Sequence, residues 1–484
     1  MLAQRFTVPF CCLLSALAVS GAPAAENGSR LPAYTSFAPS NFGHYPLVPL
    51  FVDPDGSLYA AWQDTTSPNI IISCVVQDRV TSTFRVPSLG RIAGFARDGA
   101  GNSYVLTSVA NDVFSKDEWV KRDRILQLLK VSPTGEVIYT HEIGDRHPVY
   151  NPMCAGSARI AFGSDRLGVV FSQNIEYDAQ VGARHQAQSS FVLDAKTGAE
   201  LGYHYGPSHS FDERVIYDRG VFVGASLGDA FSRGIQMIMF LDGKSRSAVA
   251  YAIKGTEGDN NTYSELGQIM AQPNYYSVLF ATDGGPTAQS ANTRNLAYVR
   301  VRKDFDKIGQ GKSPYDVNIT EGEGAGATID VAMTSIDGQS MTGHNRGVVW
   351  LTNYTDQSKT VAYHPRMAGL ANDALLVMWE EWHDGRYAAT YAVLIDGNGV
   401  RTVGPKMLSN VRLDAQDDLV VWGGSAMWAI PDAAAGALKL YAIDDQLTLS
   451  THMVQAASPT PKPTVTTKAP AVKKAPKKRR AAGR

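Results

Sequence analysis

Residues Ser157–Asn174 read SARIAFGSDRLGVVFSQN, and Ser190–Tyr205 read SFVLDAKTGAELGYHY. Each is an apolar run, a Gly/Asp/Ser/Thr turn and a second apolar run that ends in polar residues. Short runs rich in Val, Ile, Phe and Tyr, bounded by residues that accept φ > 0, are the signature of β-hairpins. The first hairpin type recurs at Leu47–Asp64, Arg91–Asp112, Glu213–Asp229, Leu266–Asp283, Arg366–Glu381 and Asp417–Asp432. A second hairpin follows each: Ile70–Pro87, Ile125–Ile143, Gln236–Ile253, Leu296–Gly309, Ala388–Pro405 and Leu438–Met453.

Seven hairpin pairs make seven four-stranded units, none of which can bury its apolar faces alone. Stacking the units into a closed ring solves that, so the expected fold is all-β, a β-propeller of four-stranded blades. The blades are expected at 47–88, 91–144, 157–205, 213–253, 266–309, 366–405 and 417–453. Residues 311–361 interrupt the spacing. They carry a Gly/Glu-rich stretch, Glu321 to Gly326, and one further strand, Gly347–Thr352. With no second hairpin in sight, the reading is an insertion between blades five and six; the alternative is eight blades with one degenerate.

Over residues 44–453 the chain resembles the broad class of secreted β-propeller repeat proteins. Phe191–Tyr203 (FVLDAKTGAELGY) is similar to the blade signature of quinoprotein propellers, with Asp, then Thr-Gly, then an aromatic. It occurs clearly once, and the regular Trp is missing, so the resemblance carries over no quinone. Neither a WD40 dipeptide nor a sialidase-type Asp box recurs.

The ends are of different material. Residues 1–25 read as a secretory signal: Arg5, an apolar run from Phe10 to Val19, then Ala22-Pro23-Ala24-Ala25. A lead-in covers 26–43. Residues 454–484 form a Pro/Thr/Lys-rich tail ending in Lys473-Lys474 and Lys477-Lys478-Arg479-Arg480, expected to be a solvated arm. The 45 Lys and Arg nearly balance the 46 Asp and Glu. Nine of the basic residues lie in 452–484, however, and one is Arg5. The body is therefore markedly acidic, which makes nucleic acid an unlikely partner for it and assigns any anionic surface or polymer to the tail. The expected location is secreted, whether extracellular, periplasmic or lumenal. No transmembrane segment is visible. The sequons at Asn27, Asn260, Asn318 and Asn353 are N-glycosylation candidates in a host that glycosylates. Cys74 and Cys154 remain after the signal and are candidates for one disulfide or for two separate thiols.

No zincin helix, Walker loop, dinucleotide fingerprint or EF-hand is present. Gly224-Ala225-Ser226-Leu227-Gly228 matches a nucleophile elbow but sits between strands, where the elbow needs a helix next. In a propeller, the loop after the second strand and the loop between blades open on one face. Acids end the second strands (Asp64, Asp112, Asp229, Asp283, Glu380-Glu381), and His44, His147, His209 and His364 lie between blades. The ligand-binding candidates on that rim are His209, Asp212, Arg214, Asp229, Arg233, His344, Arg346, Glu380, Glu381 and His383. Such a ring suits a protein or glycan ligand, and a divalent cation such as calcium fits the same donors. The Trp-Glu-Glu-Trp-His-Asp run at 379–384 adds rings on which a sugar face could stack. Three readings follow. The first is a binding or interaction module with a polar face and an anchoring tail. The others are a glycosidase-like enzyme using rim carboxylates, and a structural surface or particle component.

Overall fold

The structure, a computed structural model, describes residues 45–77, 79–88, 90–110, 124–144, 146–147, 149, 152–153, 156–178, 183–208, 210–228, 234–252, 264–283, 293–307, 320–321, 329–334, 340–345, 347–355 and 359–455. Seven antiparallel sheets of consecutive strands follow one another along it. The first is β1 (Leu50–Val52), β2 (Leu58–Gln63), β3 (Asn69–Val76) and β4 (Arg79–Pro87). The second is β5 (Arg91–Arg97), β6 (Ser103–Ala110), β7 (Arg124–Val131) and β8 (Val137–Ile143). The third is β9 (Ala158–Gly163), β10 (Arg166–Asp178), β11 (Ala183–Asp194) and β12 (Glu200–Ser208). Blade four is β13 (Ser210–Asp218), β14 (Val221–Gly228), β15 (Gly234–Leu241) and β16 (Lys244–Ala252). Blade five begins with β17 (Glu265–Ala271), β18 (Tyr275–Asp283) and β19 (Arg294–Arg302).

Blade five is completed in an unexpected way. Residues 303–307 turn instead of forming the strand that the sequence placed there. The outer edge is assembled from two short pieces, β20 (Thr320–Glu321) on Arg300 and Val301, and β23 (Val349–Trp350) on Ala297 and Tyr298. Between them lies the hairpin β21 (Ile329–Thr334) and β22 (Ser340–Asn345), whose closest neighbour is β16 of blade four. The interruption is thus an excursion from the fourth strand of blade five, and the ring has seven blades, not eight. Blade six is β24 (Thr360–Gly369), β25 (Leu375–His383), β26 (Arg386–Ile395) and β27 (Arg401–Leu408). Blade seven is β28 (Val420–Trp422), β29 (Ser425–Asp432), β30 (Ala437–Ile443) and β31 (Leu449–Gln455). The sole helical turn among the described residues is the 3-10 turn Ala371–Asp373.

The core is seven clusters, each between two neighbouring blades. Blades one and two meet through Ile70, Ile72, Phe95 and Val105. Blades three and four meet through Val170, Val192, Phe222 and Phe240. The last pair, seven and one, meets through Met427, Leu440, Leu58 and Ile71. Burial of these faces is what each blade lacks alone, and it supplies most of the driving force for the ring. Where β9 and β10 of blade three face blade four, Gly163 and Gly168 leave room for Tyr217 and Phe222. A Cβ at either glycine would stand 2.1 or 2.3 Å from those rings.

The ring closes without strand exchange: blade one takes all its strands from the N-terminal end of the propeller and blade seven all its strands from the C-terminal end. Side chains provide the seam instead. The Asp417 carboxylate accepts the backbone N–H of Leu47 and, at 2.6 Å, of Val48. The Trp422 indole donates to the Gly56 carbonyl at 2.6 Å.

Candidate functional site

Register places the start of the first strand beside the end of the second in blades four to six: Ser210 against Gly228, Glu265 against Ala281, Thr360 against His383; in blade three Ala158 faces Phe171, and β10 runs on beyond it. One edge of the ring therefore carries both kinds of polar position, as the rim argument requires.

At that edge the six residues Asp414-Ala415-Gln416-Asp417-Asp418-Leu419 lie across the axis. Blade three reaches them through Arg159, whose Nη2 donates to the carbonyl (2.6 Å) and Oε1 (2.7 Å) of Gln416. Blade four contributes Arg214, with Nε 3.2 Å from Asp418 Oδ1. In blade five, Gln268 donates to the Leu419 carbonyl (3.0 Å) and accepts the Leu419 N–H (2.9 Å). Arg366 of blade six donates to the carbonyls of Asp417 and Asp414. With Asp417 on the strand leading into blade one, the run touches five of the seven blades. It is a plug made from the chain itself.

The other acids of this face serve the ring. Asp212 accepts from Arg214 Nη1 at 2.7 Å and from Ser157 at 3.0 Å. Glu213 is fully buried and surrounded by the hydroxyls of Ser172 (3.1 Å), Ser226 (2.6 Å) and Ser210. Burial outweighs those three donors and pushes its carboxyl up to about 8. Ser226 is the serine of the elbow-like Gly-x-Ser-x-Gly match. It is buried in β14 and spends its proton on Glu213, so the match is structural.

A second buried chain joins blades five, six and seven. The His364 N–H donates to Glu265 Oε2 at 2.9 Å, and His364 Nδ1 lies 3.2 Å from Glu380 Oε2. Glu380 also accepts Arg412 Nε (2.9 Å), Trp382 Nε1 (3.0 Å) and the Leu413 N–H (2.9 Å). Burial opposes ionisation of Glu380, but His364 and Arg412 overcome it and hold its carboxyl at about 2. Burial likewise opposes protonation of His364, and the flanking Glu265 and Glu380 raise it all the same. His364 takes φ = 51° where β24 is irregular between Tyr363 and Arg366.

Of the sequence candidates, Asp212, Arg214 and Glu380 are brought to this edge and buried in it. Glu381 and His383 form a separate surface pair: His383 Nε2 lies 3.1 Å from Glu381 Oε1, and Tyr354 donates to Glu381 Oε2 at 2.8 Å. Trp379 and Trp382 are buried, which removes the expected sugar-stacking platform. His344 lies in β22. His209, Asp229, Arg233, Arg346, Cys154, Asn27, Asn260, Asn318, the first 44 residues and the basic tail lie outside the described residues. Cys74 is a buried free thiol on β3, and Asn353 is exposed, as a sequon should be. Among the described residues no group of His, Cys, Asp and Glu is arranged to hold a metal ion, and no helix is long and apolar enough to cross a membrane.

Sequence reasoning missed Arg159, Gln268, Arg366 and the run 414–419. A signal existed: Arg followed by an apolar residue recurs in first strands, at Arg91-Ile92, Arg159-Ile160, Arg214-Val215 and Arg366-Met367. The acids that meet them look like ordinary loop residues.

No protein-family model matches the chain, and no curated protein matches it. Solved structures do resemble it. BamB from Moraxella catarrhalis is 12% identical over 83% of this chain and 94% of its own, with a TM-score of 0.40. A putative 6-phosphogluconolactonase from Bacteroides fragilis is 10% identical over 83% and 96%, with a TM-score of 0.43. A GH43 endo-arabinanase from Bacillus licheniformis is 14% identical over 64% and 96%, with a TM-score of 0.29. Values this low decide nothing about function, and the assignment to seven-bladed β-propellers rests on the strand pairing itself.

Proposed function

We propose that the chain is a secreted binding module that presents the polar edge of its propeller to a protein or glycan and contacts an anionic surface through its basic tail. The observation that supports this most is the commitment of the edge carboxylates. Asp212, Glu213, Glu380 and Asp417 each accept hydrogen bonds that tie one blade to another or to the plug. Hydrolysis of a glycoside needs two carboxyl groups free to trade protons across a substrate. Among the described residues of the plug, Asp414 and Asp418 are half-buried; Asp414 Oδ1 accepts the N–H groups of Gln416 and Asp417, which leaves Asp418, with 35% of its side chain exposed, the less committed of the two. One open carboxylate suits recognition. The signal-like first 25 residues support secretion, and the exposed Asn353 supports glycosylation in a host that glycosylates.

The test is a glycan and polyanion binding screen of the full chain and of a chain ending at residue 456. The reading expects a ligand retained by both forms and heparin or anionic-vesicle binding lost with the tail. If the full chain binds neither a glycan nor a protein bait nor an anionic surface, the reading fails.

A further inference from the structure

The plug leaves part of the channel open beside blades one to three. There a cavity of about 90 Å³ has an apolar wall that includes Pro49, Leu50, Phe95 and Ile160, and a polar wall that includes Arg159 and Asp418. Arg159 gives Nη1 to the Ala158 carbonyl and Nη2 to Gln416, while its Nε lies 3.9 Å from Asp418 Oδ2, beyond hydrogen-bond reach. Asp418 Oδ1 is buried beside Arg214 Nε, so Oδ2 is the acceptor that faces Arg159 across the gap. A donor and an acceptor thus stand side by side with a gap that one oxygen atom can bridge.

The charges around the gap select the chemistry. A cation entering it meets Arg159 and Arg214, and an anion meets Asp417 and Asp418. Burial and the nearby Arg214 lower Arg159 to about 10, against Asp418 and Asp212, which leaves it a charged donor at neutral pH. A hydroxyl has both functions: it accepts from Arg159 Nε and donates to Asp418. The apolar wall then takes the C–H face of the carbons that carry the hydroxyls. A cavity of roughly 150 Å³ holds the six carbons of a benzene ring, so this one holds a fragment of about four heavy atoms, the size of a diol end. The one-third exposed Asp418 marks the opening through which a larger ligand would extend.

We propose that the open half of the channel binds neutral polyhydroxy compounds, taking the terminal diol of a polyol or sugar between Arg159 and Asp418. This rests on the binding-module reading and names its ligand class and place.

Saturation-transfer NMR and calorimetry on the full chain test it, with erythritol, glucose and methyl β-D-glucoside as probes and n-butylamine and butyrate as charged comparators. At least one polyhydroxy probe is expected to bind at least tenfold more tightly than either comparator. Asp418→Asn removes the acceptor charge, and Pro49→Trp fills the cavity without touching the polar wall. Each variant, with its thermal melt recorded, is expected to weaken binding at least tenfold. The proposal is overturned if a comparator binds best, if no polyhydroxy probe binds the folded wild type, or if a bound probe is indifferent to both variants. If glycans bind in the wider screen while both variants leave that binding intact, the module reading stands and the channel site falls. If nothing binds in either experiment, both fall.

Discussion

Glu213 and Glu380 are both fully buried on the same edge, yet they titrate in opposite directions. Glu380 faces the Arg412 guanidinium and His364, whose protonation Glu265 and Glu380 favour. Glu213 faces hydroxyls, which hydrogen-bond a carboxylate without cancelling its charge. The consequences for stability follow in sign. Raising Glu213 from 4.5 to about 8 means the folded state holds a proton that the unfolded state releases. Its contribution is complete below pH 4.5 and lost as pH rises to about 8, by up to ~5 kcal/mol. Glu213→Gln is therefore expected to flatten the fall in urea stability between pH 5 and 8.5; an unchanged slope would count against a neutral Glu213. Glu380 has the reverse dependence, contributing above pH 4.5 and losing that contribution as pH falls to about 2. Glu380→Gln leaves His364 and Arg412 without their shared partner and is expected to cost about 3–5 kcal/mol at pH 7. Guanidinium unfolding of the variant checks this, and a loss below 1 kcal/mol would contradict it.

Among the elements, blade contacts set tight steric limits. Gly163 and Gly168 accept the rings of Tyr217 and Phe222 from the next blade, so Gly163→Ala and Gly168→Ala should each cost about 1–3 kcal/mol by overpacking. Thermal melts that leave both variants unshifted would mean the interface can relax around a methyl group. Hairpins were legible in the sequence because two signals coincide there, apolar runs and turn residues such as Asp194-Ala195-Lys196-Thr197-Gly198. Asp194 accepts the N–H groups of Lys196 and Thr197 in that turn. The outer edge of blade five was half legible: the strand read at Gly347–Thr352 is β23, but its place against β19 was not visible. The two-residue strand Thr320–Glu321 is too short for a period to show, and β23 pairs with Ala297 and Tyr298 some fifty positions earlier in the chain. The site was half legible for a related reason. Asp212 and Arg214 are two positions apart and could be seen together, whereas Arg159 and Gln416 meet across 257 positions.

For the molecule as a whole, the seam between blades seven and one and the plug share one residue, Asp417. Burial and the neighbouring Asp414 raise its carboxyl, against the N–H groups that it accepts. Asp417→Ala leaves the Val48 N–H without its acceptor and should lower stability by about 1–3 kcal/mol, read as an earlier melt of the entire ring. A separate early transition, with the main melt unmoved, would show that the seam is not part of the cooperative unit. Everything said of function turns on whether this edge binds or cleaves. The most direct measurement incubates the full chain with a broad panel of oligosaccharides and follows retention and release of reducing ends in the same samples. The account predicts that ligands are retained and recovered intact. Catalytic release of reducing ends, abolished by Asp418→Asn, would contradict it.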